Sequence, residues 1–148
     1  MSKGQLLKLR ANDKEDLAVI STVLQDSLIT ANEMLFLKKE FRFAFVANRF
    51  RWEDNNEKKL EDIPVYERVH CGICFDTVTN VRQKGLDQYR KSQIISLLSI
   101  VAEKNIIDMS FSAGIVVRLD IDEILCHLQD LDSPWPTKWR PKHRLEKG

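Results

Sequence analysis

The sequence predicts an α+β domain built on antiparallel strands, and three observations carry that expectation. Glycine and proline are sparse: no Pro precedes Pro64, none lies between Pro64 and Pro134, and no Gly separates Gly4 from Gly72. Long regular elements should result. From Met34 onward, β-branched and aromatic segments follow one another at short spacing and end in one amphipathic segment. The 148 residues are 43% hydrophobic and 30% charged, enough chain for a single core that needs neither disulfides nor metal.

In chain order, Gln5 to Arg10 reads as a short strand. Asn12 to Gln25 reads as a helix, with Asn12 as N-cap, Glu15 as its reciprocal partner, and Leu17, Ile20, Val23 and Leu24 as the apolar stripe. Leu28 to Ala31, Met34 to Lys38 and Phe41 to Phe50 follow as strands, with a hairpin turn at Lys39-Glu40. Phe41, Phe43 and Phe45 alternate on one face, whereas Val46, Phe50 and Trp52 are even-numbered, so a bulge near Asn48 is expected to switch the face. Glu53 to Pro64 is polar and unpatterned and reads as a loop. Val65 to Asp76 and Val78 to Arg82 return to strand, and Gln83 to Lys91 is a second loop. Gln93 to Ala102, Ile106 to Ser112 and Ile115 to Asp120 complete three hairpin-linked strands. A final helix is expected from Asp120, with Glu123 three positions on and Ile121, Ile124, Leu125, Leu128 and Leu131 in one stripe.

This order of elements resembles a pleckstrin-homology-like barrel, two sheets plugged at one end by a C-terminal helix. The resemblance implies a two-sheet domain with an N-terminal helix and a C-terminal capping helix. The runner-up is an open antiparallel sheet with both helices on one face. The core expected is Leu17, Ile20, Leu24, Phe43, Phe45, Ile73, Leu98, Ile100, Val117, Ile124, Leu125 and Leu128. Residues 1–132 form the globular domain in this reading, and residues 133–148 a tail.

A closer likeness rests on Leu7-Lys8-Leu9-Arg10-Ala11, Glu15-Asp16-Leu17-Ala18-Val19-Ile20-Ser21 and Phe41-Arg42-Phe43-Ala44. It continues through Asn48-Arg49-Phe50-Arg51-Trp52-Glu53, Phe75-Asp76 and Arg118-Leu119-Asp120. These stretches resemble an uncharacterised alphaproteobacterial family bearing a domain-of-unknown-function label. The family supplies no activity and no catalytic residue.

Charge excludes a dedicated nucleic-acid binder, since 23 basic residues meet 22 acidic ones. Five of those cations and one of those acids lie in Ser133 to Gly148, which leaves net −3 before the tail and +4 within it. Three cysteines, no secretory leader and no membrane-length apolar run fit a reduced, cytoplasmic chain. His70 and Cys71-Gly72-Ile73-Cys74 have the spacing of a metal or dithiol motif, with Cys126-His127 available elsewhere. On a strand, however, residues three apart face opposite ways, so structural thiols are favoured over zinc or redox chemistry. Asp120, Asp122 and Glu123 read as helix-capping acids in place of a cation site. Ser21, Asp26, Ser96, Ser99 and Ser110 lie in no nucleophile elbow, and His70, His127 and His143 have no visible partner. Arg42, Arg49 and Arg51, with Lys38 and Lys39, read as solvated strand-face charges.

The tail combines Trp135 and Trp139 with Lys138, Arg140, Lys142, His143 and Arg144 between Pro134, Pro136 and Pro141. Trp135, Lys138, Trp139, Arg140, Lys142 and Arg144 are the candidate interaction residues. Tryptophans folded back over an apolar groove are favoured over base stacking with phosphate contacts. The function expected is a non-catalytic cytoplasmic protein-interaction module with an unidentified protein partner, no cofactor and no membrane association. An open strand edge would also admit self-association. Two alternatives stay open: a nucleic-acid or anion binder acting through the tail, and a small enzyme with an unrecognised active site.

Overall fold

The computed structural model describes residues 6–51, 58–60, 63–65, 67–86, 92–131 and 135–136. It begins with β1 (Lys8–Ala11) and α1 (Lys14–Val23), followed by β2 (Ser27–Thr30), β3 (Leu35–Leu37) and β4 (Arg42–Phe50). A two-stranded hairpin, β5 (Lys58–Leu60) and β6 (Ile63–Val65), stands where a featureless loop was expected. Then come β7 (Glu67–Phe75), β8 (Val78–Lys84), β9 (Ile94–Glu103), β10 (Ile106–Phe111), β11 (Val116–Ile121), β12 (Cys126–Asp130) and β13 (Trp135–Pro136).

Among the described residues, one open antiparallel sheet runs β1-β12-β7-β4-β2-β9-β10-β11-β8, with β3 paired to β4 and β13 to β7. A single residue pair, Leu28 with Asn48, joins β2 to β4, so the sheet divides there into two halves. Inward side chains from both halves, including Phe45, Ile73, Phe75, Leu97, Met109, Phe111, Leu119 and Leu128, form one buried cluster. Helix α1 packs on β9 and β1 and adds Leu17 and Ile20, with Leu24 just beyond it, to that cluster. Its N-cap is Asp13, one residue later than expected; the Asp13 carboxylate accepts from Asp16 N–H at 2.8 Å. An open sheet with one helix replaces the barrel with a helical plug.

The largest departure is the C-terminal helix, which is two strands instead. Asp120 belongs to β11, and β12 is slotted between β7 and β1 with both ladders formed. The segment carries two periodicities at once, and its helical stripe competes with an alternation of Cys126, Leu128 and Asp130. The sheet offers two sets of backbone partners for the second, so alternation wins. The turn before β12 is pinned by Thr77, whose Oγ1 donates to Glu123 C=O at 2.8 Å and accepts from Glu123 N–H at 3.1 Å. Asp120, Asp122 and Glu123 therefore cap no helix, and Asp120 accepts from Arg82 at 2.7 Å.

The face switch expected near Asn48 is also absent. Strand β4 keeps one register against β7 from Phe43 opposite Phe75 to Phe50 opposite Arg68. Odd-numbered residues stay inward throughout, which carries Arg49 and Arg51 into buried positions. A bulge lies instead in β9, where Ser110 pairs Ser99 but Phe111 pairs Leu97. Leu98 is the extra residue and points outward, so it leaves the expected core. Ile124 and Leu125, in the turn before β12, are only half-buried.

Candidate functional site

The buried arginines explain the phrase Asn48-Arg49-Phe50-Arg51. Arg49 is fully buried and holds Asp130 with two hydrogen bonds, Nε to Oδ1 at 2.9 Å and Nη2 to Oδ2 at 2.8 Å. Asp130 Oδ2 also accepts from Leu7 N–H at 2.8 Å, so the pair ties the start of the chain to β4 and β12. Arg51 Nη1 donates to Glu67 Oε1 at 2.9 Å. On the opposite face, the Arg68 guanidinium lies 3.7 Å from the Phe50 ring centre and donates to Asn48 C=O at 2.9 Å. Arg49 and Arg51 are thus architectural and not solvated, contrary to the sequence expectation.

The outer face of β3, β4, β7, β12 and β1 carries the site. Registers across these strands place Leu35, Ala44, Cys74, His127 and Arg10 in one row, and Val46, Gly72, Gln129 and Lys8 in the next. Ala44 and Gly72 are small, whereas Leu35, Val46 and Leu131 stand around them at 55%, 43% and 53% exposure. The result is a solvent-open groove of about 440 Å³. Gly72 forms its floor. Its backbone is ordinary strand, unlike that of Gly85 and Gly114, whose φ values are 92° and 73°. A Cβ at Gly72 would come no closer than 3.7 Å to Leu131, an ordinary contact. A glycine inside a central strand weakens the strand, and here neither conformation nor crowding requires it.

One end of the groove is polar. Cys74 and His127 are directly paired across β7 and β12, His127 Nδ1 lies 3.8 Å from Asp76 Oδ2, and Arg42 Nε donates to Asp76 Oδ1 at 2.8 Å. The combination resembles a thiol–imidazole pair, but its electrostatics oppose nucleophilic use. Burial, and then the Asp76 carboxylate, push the Cys74 thiol above its ordinary pKa, with Arg42 only partly opposing them. An attacking thiolate needs the reverse shift. Burial likewise pushes Cys126 up strongly on the inner side of β12. Cys71 is also inward and fully buried, so the two sulfurs of the Cys-x-x-Cys spacing lie on opposite faces of β7. Among the described residues, no group of three or more His, Cys, Asp or Glu side chains converges as a metal site.

A second depression, between β8 and β11, is lined by Arg82, Lys84 and Arg118. Its guanidinium groups are engaged, Arg82 by Asp120 and Arg118 by both oxygens of Asp108 at 2.7 and 2.9 Å. Of the candidate tail residues, only Trp135 falls among those described, and for its backbone alone: it pairs with Arg68. Lys138, Trp139, Arg140, Lys142, His143 and Arg144 lie outside the described residues. Sequence reading missed the groove because its signal is a register across five strands; Gly72 was visible only as part of a cysteine spacing.

The fold and this face define a class, an open antiparallel β-sheet domain whose outer surface carries an apolar groove. Residues 7–143 match a family model described as a protein of unknown function, DUF2948, and the chain belongs to that family. No curated protein and no solved structure matches it. Among the described residues, no helix is long and apolar enough to cross a membrane.

Proposed function

We propose that the protein is a non-catalytic interaction module that docks a segment of a partner protein on the outer face of β3, β4, β7 and β12. The observation that carries this reading is Gly72, a strand-weakening residue whose evident effect is to open an apolar groove. Small-molecule sites enclose most of their ligand, whereas this groove is shallow and walled by side chains that are themselves about half exposed. An apolar side chain presented by a larger surface suits it better. The raised thiol of Cys74 supports binding over catalysis at the polar end.

Selection of peptides from a random library on the immobilised protein tests the reading. Recovered peptides should lose about tenfold or more in affinity, roughly 1.4 kcal/mol, on Val46→Gln. The control substitution Leu98→Gln, at an exposed leucine on β9, should leave affinity unchanged. Peptides that respond to Leu98→Gln and ignore Val46→Gln would move the docking site off this face.

A further inference from the structure

We infer that the segment docking in this groove is acidic as well as apolar; the inference rests on the docking reading above and adds the partner's charge. Lys8 and Arg10 are exposed, and the register places both on the outer face beside Gln129 and His127. Among the described residues neither has an ion-pair partner, in contrast to Arg42, Arg49, Arg51, Arg82 and Arg118, each held by a carboxylate. The opposite flank of the groove is acidic, with Glu33 beside Leu35. A ligand crossing the strands therefore meets an anion at the β3 side, an apolar floor in the middle and two uncompensated cations on β1.

That polarity selects one orientation. From Gly72 on β7 to Lys8 on β1 is two strand spacings, about 10 Å, so a carboxylate that distance from an apolar anchor reaches Lys8 while the anchor covers Gly72. Arg10, one row further, can hold a carboxylate by two parallel bonds. Because β1 is the sheet edge, both cations lie at the rim of the docking surface. There they contribute mainly association rate and partner discrimination, and salt weakens them.

Three fluorescein-labelled peptides sharing one leucine–valine core, flanked by Glu, by Gln or by Lys, test the inference by fluorescence anisotropy. The Glu peptide should bind about tenfold more tightly than the Lys peptide at low salt, with the ratio shrinking as salt screens the rim. In the double variant Lys8→Glu/Arg10→Glu the ranking should invert. Val46→Gln should weaken all three. Equal binding of the Glu and Lys peptides, with Val46→Gln still weakening both, would overturn the acidic partner and leave the docking face standing. Peptide binding indifferent to Val46→Gln would overturn both. Binding of phosphatidylserine vesicles, lost on Lys8→Glu/Arg10→Glu, with no peptide bound, would assign the face to a lipid surface and overturn the inference.

Discussion

At the scale of single residues, two side chains do what their types rarely do. Arg49 fills a core position of β4 because Asp130 lies at an inward position of β12, and the two exchange a bidentate contact from which solvent is excluded. Such a pair is weak evidence for net stability, but removing one member strands the other's charge. Arg49→Leu should therefore cost about 3–5 kcal/mol in denaturant unfolding, and Arg49→Leu/Asp130→Leu should recover part of that loss. A single-variant loss below about 1 kcal/mol would show that the buried charge is relieved in some other way. The sequence could not place Arg49, because an arginine between Asn48 and Phe50 looks like a solvated charge until the register of β4 is known. The nine expected core residues that are buried, among them Leu17, Ile20, Phe43, Phe45 and Leu128, were legible because ordinary alternation or helical spacing governs them.

At the scale of elements, local pattern was reliable wherever one period was present and failed where two coexisted. Helix α1 and strands β4, β7, β9, β10 and β11 fall within a few residues of their expected bounds. The segment from Asp120 to Asp130 satisfied a helical stripe and a strand alternation together, and tertiary context, the slot between β7 and β1, favours the second. Thr77 commits the chain to the strand outcome. It has φ of 60°, unusual for a β-branched residue, and its hydroxyl bonds both backbone groups of Glu123. Thr77→Val keeps the side-chain shape and removes both bonds, so it should destabilise the domain by about 1–3 kcal/mol. Hydrogen exchange at β12 should accelerate in the same variant. Unchanged protection there would mean that the β7 and β1 ladders alone fix β12.

At the scale of the whole molecule, an open sheet must manage two edges and two faces. Both edge strands carry cations, Lys8 and Arg10 on β1 and Arg82 and Lys84 on β8, which discourages indiscriminate strand pairing. The inner face is filled by a single core, and the outer face over β7 is hollowed at Gly72. That hollow was not legible in the sequence, because it depends on which residues of β3, β4, β7 and β12 come to lie side by side. If Gly72 serves binding at the expense of strand stability, Gly72→Val separates the two effects. Measured together, its unfolding free energy should stay equal or rise by up to about 1 kcal/mol, while affinity for a groove-selected peptide falls at least about tenfold. A variant that loses stability yet binds the peptide as tightly as the natural chain would make Gly72 a packing residue with no part in binding.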